Sequence, residues 1–99
     1  MILESAVLNI KSGEADAFEA AFDKARHIIG SMPGFAGLRL MRCLENRQRY
    51  LLLVEWRHLE DHTEGFRGSP AYQEWRALLH HFYDPFPNVE HYGLVSEVT

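Results

Sequence analysis

The densest set of groups able to do chemistry lies between Trp56 and Tyr92, a stretch with both tryptophans, three of the four tyrosines and five of the six histidines. Aromatic walls with a few polar tips bind flat organic molecules well. Trp56, Tyr72, Trp75 and Phe82 supply such rings, and a stripe at helical spacing is also how a plain core reads, so the residues alone leave both readings open. His62 is the most pointed single group. On a short helix over residues 57–66 it shares the inner stripe of Leu59 and Phe66, with Thr63 the alternative to it on that stripe. Its imidazole then faces inward, where a neutral ring can accept a proton near neutral pH. A buried histidine satisfied by a carbonyl, or by Asp61 or Glu64, would show the same pattern. His58 and His62 stand four apart on one helical face, as two metal ligands do. The run His58-Leu59-Glu60-Asp61-His62 is not H-E-x-x-H, however, and no third ligand is placed by spacing. His80 and His81 would point roughly 100° apart on a helix and cannot easily chelate together. Glycine-rich nucleotide loops, a Walker lysine loop and a G-x-S-x-G elbow are all missing, so neither nucleotide-driven redox chemistry nor triad hydrolysis is supported. No cofactor and no metal are expected.

The element that must position these groups is the run Tyr50–Trp56. With the period of two of a strand, Leu51 and Leu53 point one way and Tyr50, Leu52, Val54 and Trp56 the other. Both faces are apolar, with Glu55 the one interruption, so this strand is expected to be covered on both sides. Helices of the same chain can cover one face, and a second copy of the protein is the economical cover for the other. Upstream, residues 2–10 read as a strand with Ile2, Ala6, Leu8 and Ile10 on one face and Leu3, Ser5, Val7 and Asn9 on the other. Ser12 or Gly13 can cap the helix that follows, in which Phe18, Phe22, Ala25 and Ile29 form the sheet-facing stripe and Gly30 is the expected C-cap. After the turn Ser31-Met32-Pro33-Gly34, residues 35–44 form a second strand whose Arg39 and Arg42 mark it as an edge. Glu45-Asn46-Arg47-Gln48 is a hairpin connection into Tyr50–Trp56. Ser69-Pro70 is a strong helix start, and Tyr72, Trp75, Leu79 and Phe82 make its apolar line. Asp84-Pro85-Phe86-Pro87 stops that helix, and a last strand is expected from about Val89 to Val98. The order β-α-β-β-α-β predicts a ferredoxin-like α+β fold with a four-stranded antiparallel sheet whose first and third strands are central.

With 99 residues the chain is one domain, residues 1–99, and 46% hydrophobic residues with twelve aromatic rings give it an ordinary core. A formal charge of −4, with eight Arg and two Lys scattered rather than banded, argues against nucleic acid and anionic membranes as partners. The single cysteine, Cys43, cannot form an internal disulfide or a cysteine-based zinc site. No apolar run reaches the ~20 residues of a membrane span, and no signal sequence opens the chain. The expectation is a soluble, cytoplasmic protein.

Several fragments, in order and spacing, resemble the antibiotic biosynthesis monooxygenase family of the dimeric α+β barrel superfamily. They are the opening strand with Lys11-Ser12-Gly13, the turn Met32-Pro33-Gly34-Phe35, the strand end Val54-Glu55-Trp56, the run Phe66-Arg67-Gly68-Ser69-Pro70-Ala71-Tyr72, and His91-Tyr92. Together they cover nearly the whole chain. The resemblance implies a homodimer formed by packing two sheets face to face into a dimeric α/β barrel. It also implies, in some members, oxidation of quinols or polycyclic phenols by O2 without a cofactor, and in others haem degradation. For the first reaction a dry aromatic cavity, a base and donors for the substrate anion are needed. The resemblance casts His62 as the base, Trp56, Tyr72 and Trp75 as walls or donors, and Phe66 as a wall. Many relatives carry a histidine where Phe66 stands. The Asn, Trp and His of the haem-degrading branch fall on Ala6, Phe66 and Arg76, so haem degradation is disfavoured. The alternative to a monooxygenase is a non-enzymatic small-molecule-binding or stress-response protein on the same fold.

Overall fold

The alternation in the third strand separates the faces of the sheet as expected. In the computed structural model, which describes residues 1–99, the chain runs β1 (Ile2–Asn9), α1 (Ala15–Gly30), β2 (Phe35–Arg42) and β3 (Arg49–Trp56). It continues through a π-helical turn (Asp61–Phe66), α2 (Pro70–Leu79), a 3-10 turn (His80–Phe82) and β4 (Val89–Gly93). The four strands form one antiparallel sheet in the order β2-β3-β1-β4. This is the ferredoxin-like arrangement, with β1 and β3 central and the arginine-bearing β2 at an edge.

Ala6 and Leu8 of β1 and Tyr50, Leu52, Val54 and Trp56 of β3 are buried on the helix-covered face. Phe18, Phe22, Ala25 and Ile29, one stripe of α1, are buried with them. Phe18 meets Tyr50 at 5.0 Å between ring centroids, and Phe22 meets Trp75 of α2 at 5.8 Å, so the two helices share one core. On the opposite face no helix covers the sheet. Val7 there is 46% exposed and Met41 50%, beside the half-buried Leu3, Leu51 and Leu53.

Several boundaries differ from the sequence expectation, each for a local reason. Helix α1 begins without a side-chain cap: Glu14 holds the N-cap position, Gly13 turns the chain at φ +80°, and Ser12 accepts a hydrogen bond from Gln48 Nε2. Gly30 is the last helical residue rather than the cap, and Ser31 closes the helix in a right-handed conformation. Strand β2 stops at Arg42, because Asn46 turns the hairpin by accepting from Arg49 N, and Leu44 is left 89% exposed. Helix α2 ends at Leu79 and tightens into the 3-10 turn that buries Phe82. Strand β4 ends at Gly93, whose partner is Ile2 at the start of β1, so the chain beyond has no neighbouring strand to pair with.

Candidate active site

Strand alternation delivers a carboxylate into the core. Glu4 lies between Ile2 and Ala6 on the helix-facing side of β1 and is 5% exposed. In the register of the sheet its cross-strand partners are Val54 on β3 and His91 on β4, while Ile2 stands opposite Trp56. Trp56, fully buried at the end of β3, donates its indole Nε1–H to Glu4 Oε1 at 2.9 Å.

The third member arrives on the π-helical turn. Its wide winding shows in the hydrogen bond from Arg67 N to the carbonyl of His62, five residues back, and such turns recur at functional sites. Within it His62 and Phe66 are both buried, whereas Leu59, expected on the same inner stripe, lies before the turn and is 39% exposed. The turn is anchored at its start. Asp61 accepts the His58 N–H at 3.1 Å and packs over Gly34, where a Cβ would overlap the carboxylate, and Arg57 N donates to Gly34 O at 2.9 Å. Gly34 itself has φ +82°, a conformation that favours glycine. His58 remains outside the site, its side chain 76% exposed, and does not join His62. No group of three or more His, Cys, Asp or Glu is placed to hold a metal ion.

Held in this way, the His62 ring stacks on Trp56 at 5.5 Å and an interplanar angle of 17°. Its Nε2 lies 3.4 Å from Glu4 Oε1, and its Nδ1 lies 2.8 Å from Nε2 of His91. Burial pushes the His62 pKa down to about 3, assisted by the positive charge of Arg67 and by His91. Burial also raises the Glu4 carboxyl, partly offset by the Trp56 donor and by Arg67. His91 is lowered by burial and Arg67. Both imidazoles are therefore neutral at neutral pH, and the carboxyl is the group of the three best disposed to gain a proton.

Glu4 and His62 border a cavity of about 410 Å³ between the sheet and the α2 side of the molecule, at the small end of the range for ligand pockets. Ala6, Leu8 and Leu52 form its apolar floor; Phe66, Tyr72 and Trp75 form a wall. Phe66 meets Tyr72 edge-on at 5.3 Å and Trp75 at 5.7 Å, which fixes the ring faces. At the other side stand Arg67, His80, Tyr83 and Phe86. Burial raises the Tyr83 phenol and lowers His80, so both are uncharged and Tyr83 keeps a proton to donate.

Of the residues singled out by sequence, His62, Phe66, Tyr72 and Trp75 come together around this cavity. Trp56 does not border it. Its indole is spent on Glu4 and on the face of His62, so it positions the polar groups instead of forming a wall. Sequence reasoning passed over Glu4, His91, Arg67 and Tyr83. Glu4 had a readable signal, a carboxylate at an apolar-face position of an alternating strand. The others depend on register and on the loop through Asp84-Pro85-Phe86-Pro87.

Residues 1–78 match the family model described as antibiotic biosynthesis monooxygenase. The uncharacterized protein YczJ of Bacillus subtilis (strain 168) is 58% identical over 92 residues, covering 93% of this chain and 97% of its own. Among solved structures, a candidate antibiotic biosynthesis monooxygenase from Bordetella bronchiseptica is 35% identical with a TM-score of 0.91, over 96% of this chain and 97% of that one. SnoaB, a cofactor-independent oxygenase from Streptomyces nogalater, superposes with a TM-score of 0.74 at 16% identity, over 99% of this chain and 94% of its own, a likeness of fold.

Proposed function

Because the chain belongs to the antibiotic biosynthesis monooxygenase family, we propose that it oxidises a small quinol or polycyclic phenol with O2 and without a cofactor. The observation that carries this reading is the buried Glu4–His62 pair at the edge of an aromatic cavity of about 410 Å³. An electron-rich phenol lying against Phe66, Tyr72 and Trp75 loses a proton to that pair. The resulting anion can pass electrons to O2 directly, which a neutral phenol does poorly. When a ring CH2 becomes C=O, one oxygen atom enters the product and the other leaves with the two hydrogens as water. On this reading the neutral phenol of Tyr83, which lines the cavity, donates a hydrogen bond to the substrate anion.

The working unit on this reading is a homodimer. On the uncovered sheet face Val7, Leu51 and Met41 stand in one cross-strand row, with Leu53 and Leu3 on the same face beside Arg39 and Glu55, an apolar patch that a second copy can match with its own. Sedimentation at micromolar protein should give about twice 11.5 kDa, and a stable monomer would remove this part of the proposal. The reaction is tested with an oxygen electrode and a panel of hydroquinones and anthrones. O2 uptake above the autoxidation rate is expected for at least one of them. Tight binding with no uptake and no change in the ligand would instead identify a small-molecule-binding protein.

A further inference from the structure

We infer that the cavity holds its phenol as the phenolate, with the Arg67 guanidinium as counter-ion to the ionised oxygen. The choice of a phenol rests on the proposed reaction, but the ion pair can be measured by binding alone.

Arg67 directly follows the π-helical turn, and its backbone N–H is tied to the His62 carbonyl at 3.1 Å. That bond fixes the root of the side chain beside His62 and Phe66, the two turn residues that border the cavity. Of the eight arginines it is the one that lines the cavity, and no lysine does. Arg26 and Arg42 are paired with Asp23 and Glu19, whereas Arg67 makes no ion pair with any carboxylate. Its fork of side-chain N–H donors is therefore free for a ligand.

The other groups around the cavity leave that charge almost unopposed. His62 on the turn, His80 on the 3-10 turn and His91 on β4 beside His62 are all held below the ordinary histidine range, and the Tyr83 phenol is held above its own. Tyr72 of α2 adds a phenol and Asn88 an amide, β3 contributes only Leu52, and α1 contributes nothing. Glu4 on β1 is the one carboxylate, and burial raises it toward the neutral form.

A single negative charge thus has two places to reside, Glu4 or the ligand. Both polar contacts of Glu4, from Trp56 and from His62, fall on Oε1. Oε2 has no protein partner, yet the structure contains no sealed, unpartnered side-chain oxygen or nitrogen, so Oε2 opens on the cavity. A phenol proton passing to Oε2 breaks the ligand O–H bond, forms the carboxylic acid and leaves the net charge of the cavity unchanged. What changes is where the charge sits. It leaves a carboxylate that is 5% exposed and arrives on an oxygen that the guanidinium is free to touch. Arg67 also favours the Glu4 carboxylate, but from beyond ion-pair distance. Coulombic attraction falls with separation, and direct contact adds charge-assisted hydrogen bonds, so the cation favours the phenolate more than it favours ionised Glu4.

Binding of para-nitrophenol, whose ionised form absorbs in the visible, tests this on the whole protein. Difference spectra across pH should show the bound probe half-ionised about one pH unit or more below the free probe, the usual scale for an opposite charge in contact. Arg67→Gln should abolish that shift and weaken nitrophenolate binding by about tenfold or more, and Arg67→Lys should keep part of it. The ether para-nitroanisole, which has no proton to lose, should bind wild type and Arg67→Gln alike. Glu4→Gln removes the one competing anion and should leave nitrophenolate binding as tight or tighter. No saturable binding of nitrophenolate to wild type, the same shift in Arg67→Gln, or an equal loss of both probes in that variant would each overturn the inference. An unshifted probe in a protein that consumes O2 with a phenol would sink the ion pair and leave the reaction standing; a shifted probe with no O2 uptake across the panel would do the reverse.

Discussion

Lowering the pH should reveal the opposite costs of the two buried groups. The His62 side chain is 4% exposed, and its pKa falls from 6.5 to about 3 on folding. Such a group contributes stability that is present above its unfolded value and is lost as pH falls toward its folded value. From about pH 7 to about pH 4 the unfolded ring takes up a proton and the folded ring does not. About 2.5 pH units at about 1.4 kcal/mol each come to about 3 kcal/mol of lost stability. Glu4 acts with the other sign. Its folded pKa is raised, so its contribution is fully present below its unfolded value and is lost as pH rises through the folded one. Acidification therefore returns part of what His62 removes, and the wild-type slope is a difference. Urea unfolding of three proteins at a series of pH values separates the parts. Glu4→Gln should show the steepest acid loss, wild type an intermediate one, and His62→Gln the flattest or an inverted one. Equal slopes, or the reverse order, would refute the view that these two groups are buried at each other's expense.

Two further substitutions probe how the pair is held. Gly34→Ala places a methyl group into the Asp61 carboxylate and an L-residue at φ +82°. Left-handed strain of about 1–2 kcal/mol and the loss of the His58 N–H bond to Asp61, about 1 kcal/mol, predict a destabilisation of about 2–3 kcal/mol by urea unfolding; adding Asp61→Ala should recover none of the strain and remove the clash. Trp56→Phe deletes the indole donor to Glu4. A hydrogen bond to a charged group is worth about 1.5–3 kcal/mol, so the loss near neutral pH should reach at least that range and shrink when measured in a Glu4→Gln background, and an undiminished loss there would mean that only ring packing was removed.

Much of the scaffold was legible because it obeys local rules. The alternation of Tyr50–Trp56 separated two apolar faces but left open which one meets the helices; it is the face of Tyr50, Leu52, Val54 and Trp56, buried with the α1 stripe Phe18, Phe22, Ala25 and Ile29 that helical spacing did pick out. Ser69-Pro70 predicted the start of α2, and Ser69 Oγ does accept the Tyr72 N–H at 3.2 Å. The polar cluster was only half legible. His62, with Thr63 the alternative, could be read as inward-facing from helical spacing, but its partners lie on β1 and β4, and their meeting depends on the pairing Glu4↔His91 across the sheet. Nothing local to either residue encodes that register. The π-helical turn was also invisible, since ordinary helical spacing puts Leu59 on the buried stripe and the wider turn leaves it outside. That turn bears on the family comparison too. The resemblance points to a histidine in many relatives at the position of Phe66, yet here both Phe66 and His62 are buried and border the same cavity. A phenylalanine at 66 thus removes one imidazole without leaving the cavity without any.

A buried carboxylate is a costly choice for a strand position flanked by Ile2 and Ala6, and its retention separates a structural role from a chemical one. The raised pKa of Glu4 means that the fold favours the neutral form, so the ionised form costs stability at neutral pH. Glutamine keeps the acceptor for the Trp56 indole and carries no charge. Its amide nitrogen can occupy the open side of the group, where Oε2 now meets the cavity. If Glu4 served only to satisfy Trp56 and His62, Glu4→Gln would be neutral or beneficial in every respect. If it takes the substrate proton, the same change should raise stability near neutral pH, because the raised carboxyl no longer has to ionise in the fold, and abolish O2 uptake. Denaturant unfolding and an oxygen electrode on one preparation read both outcomes. A variant that is less stable than wild type would show that the carboxylate holds the fold together, and a variant that still turns over would show that the proton goes elsewhere.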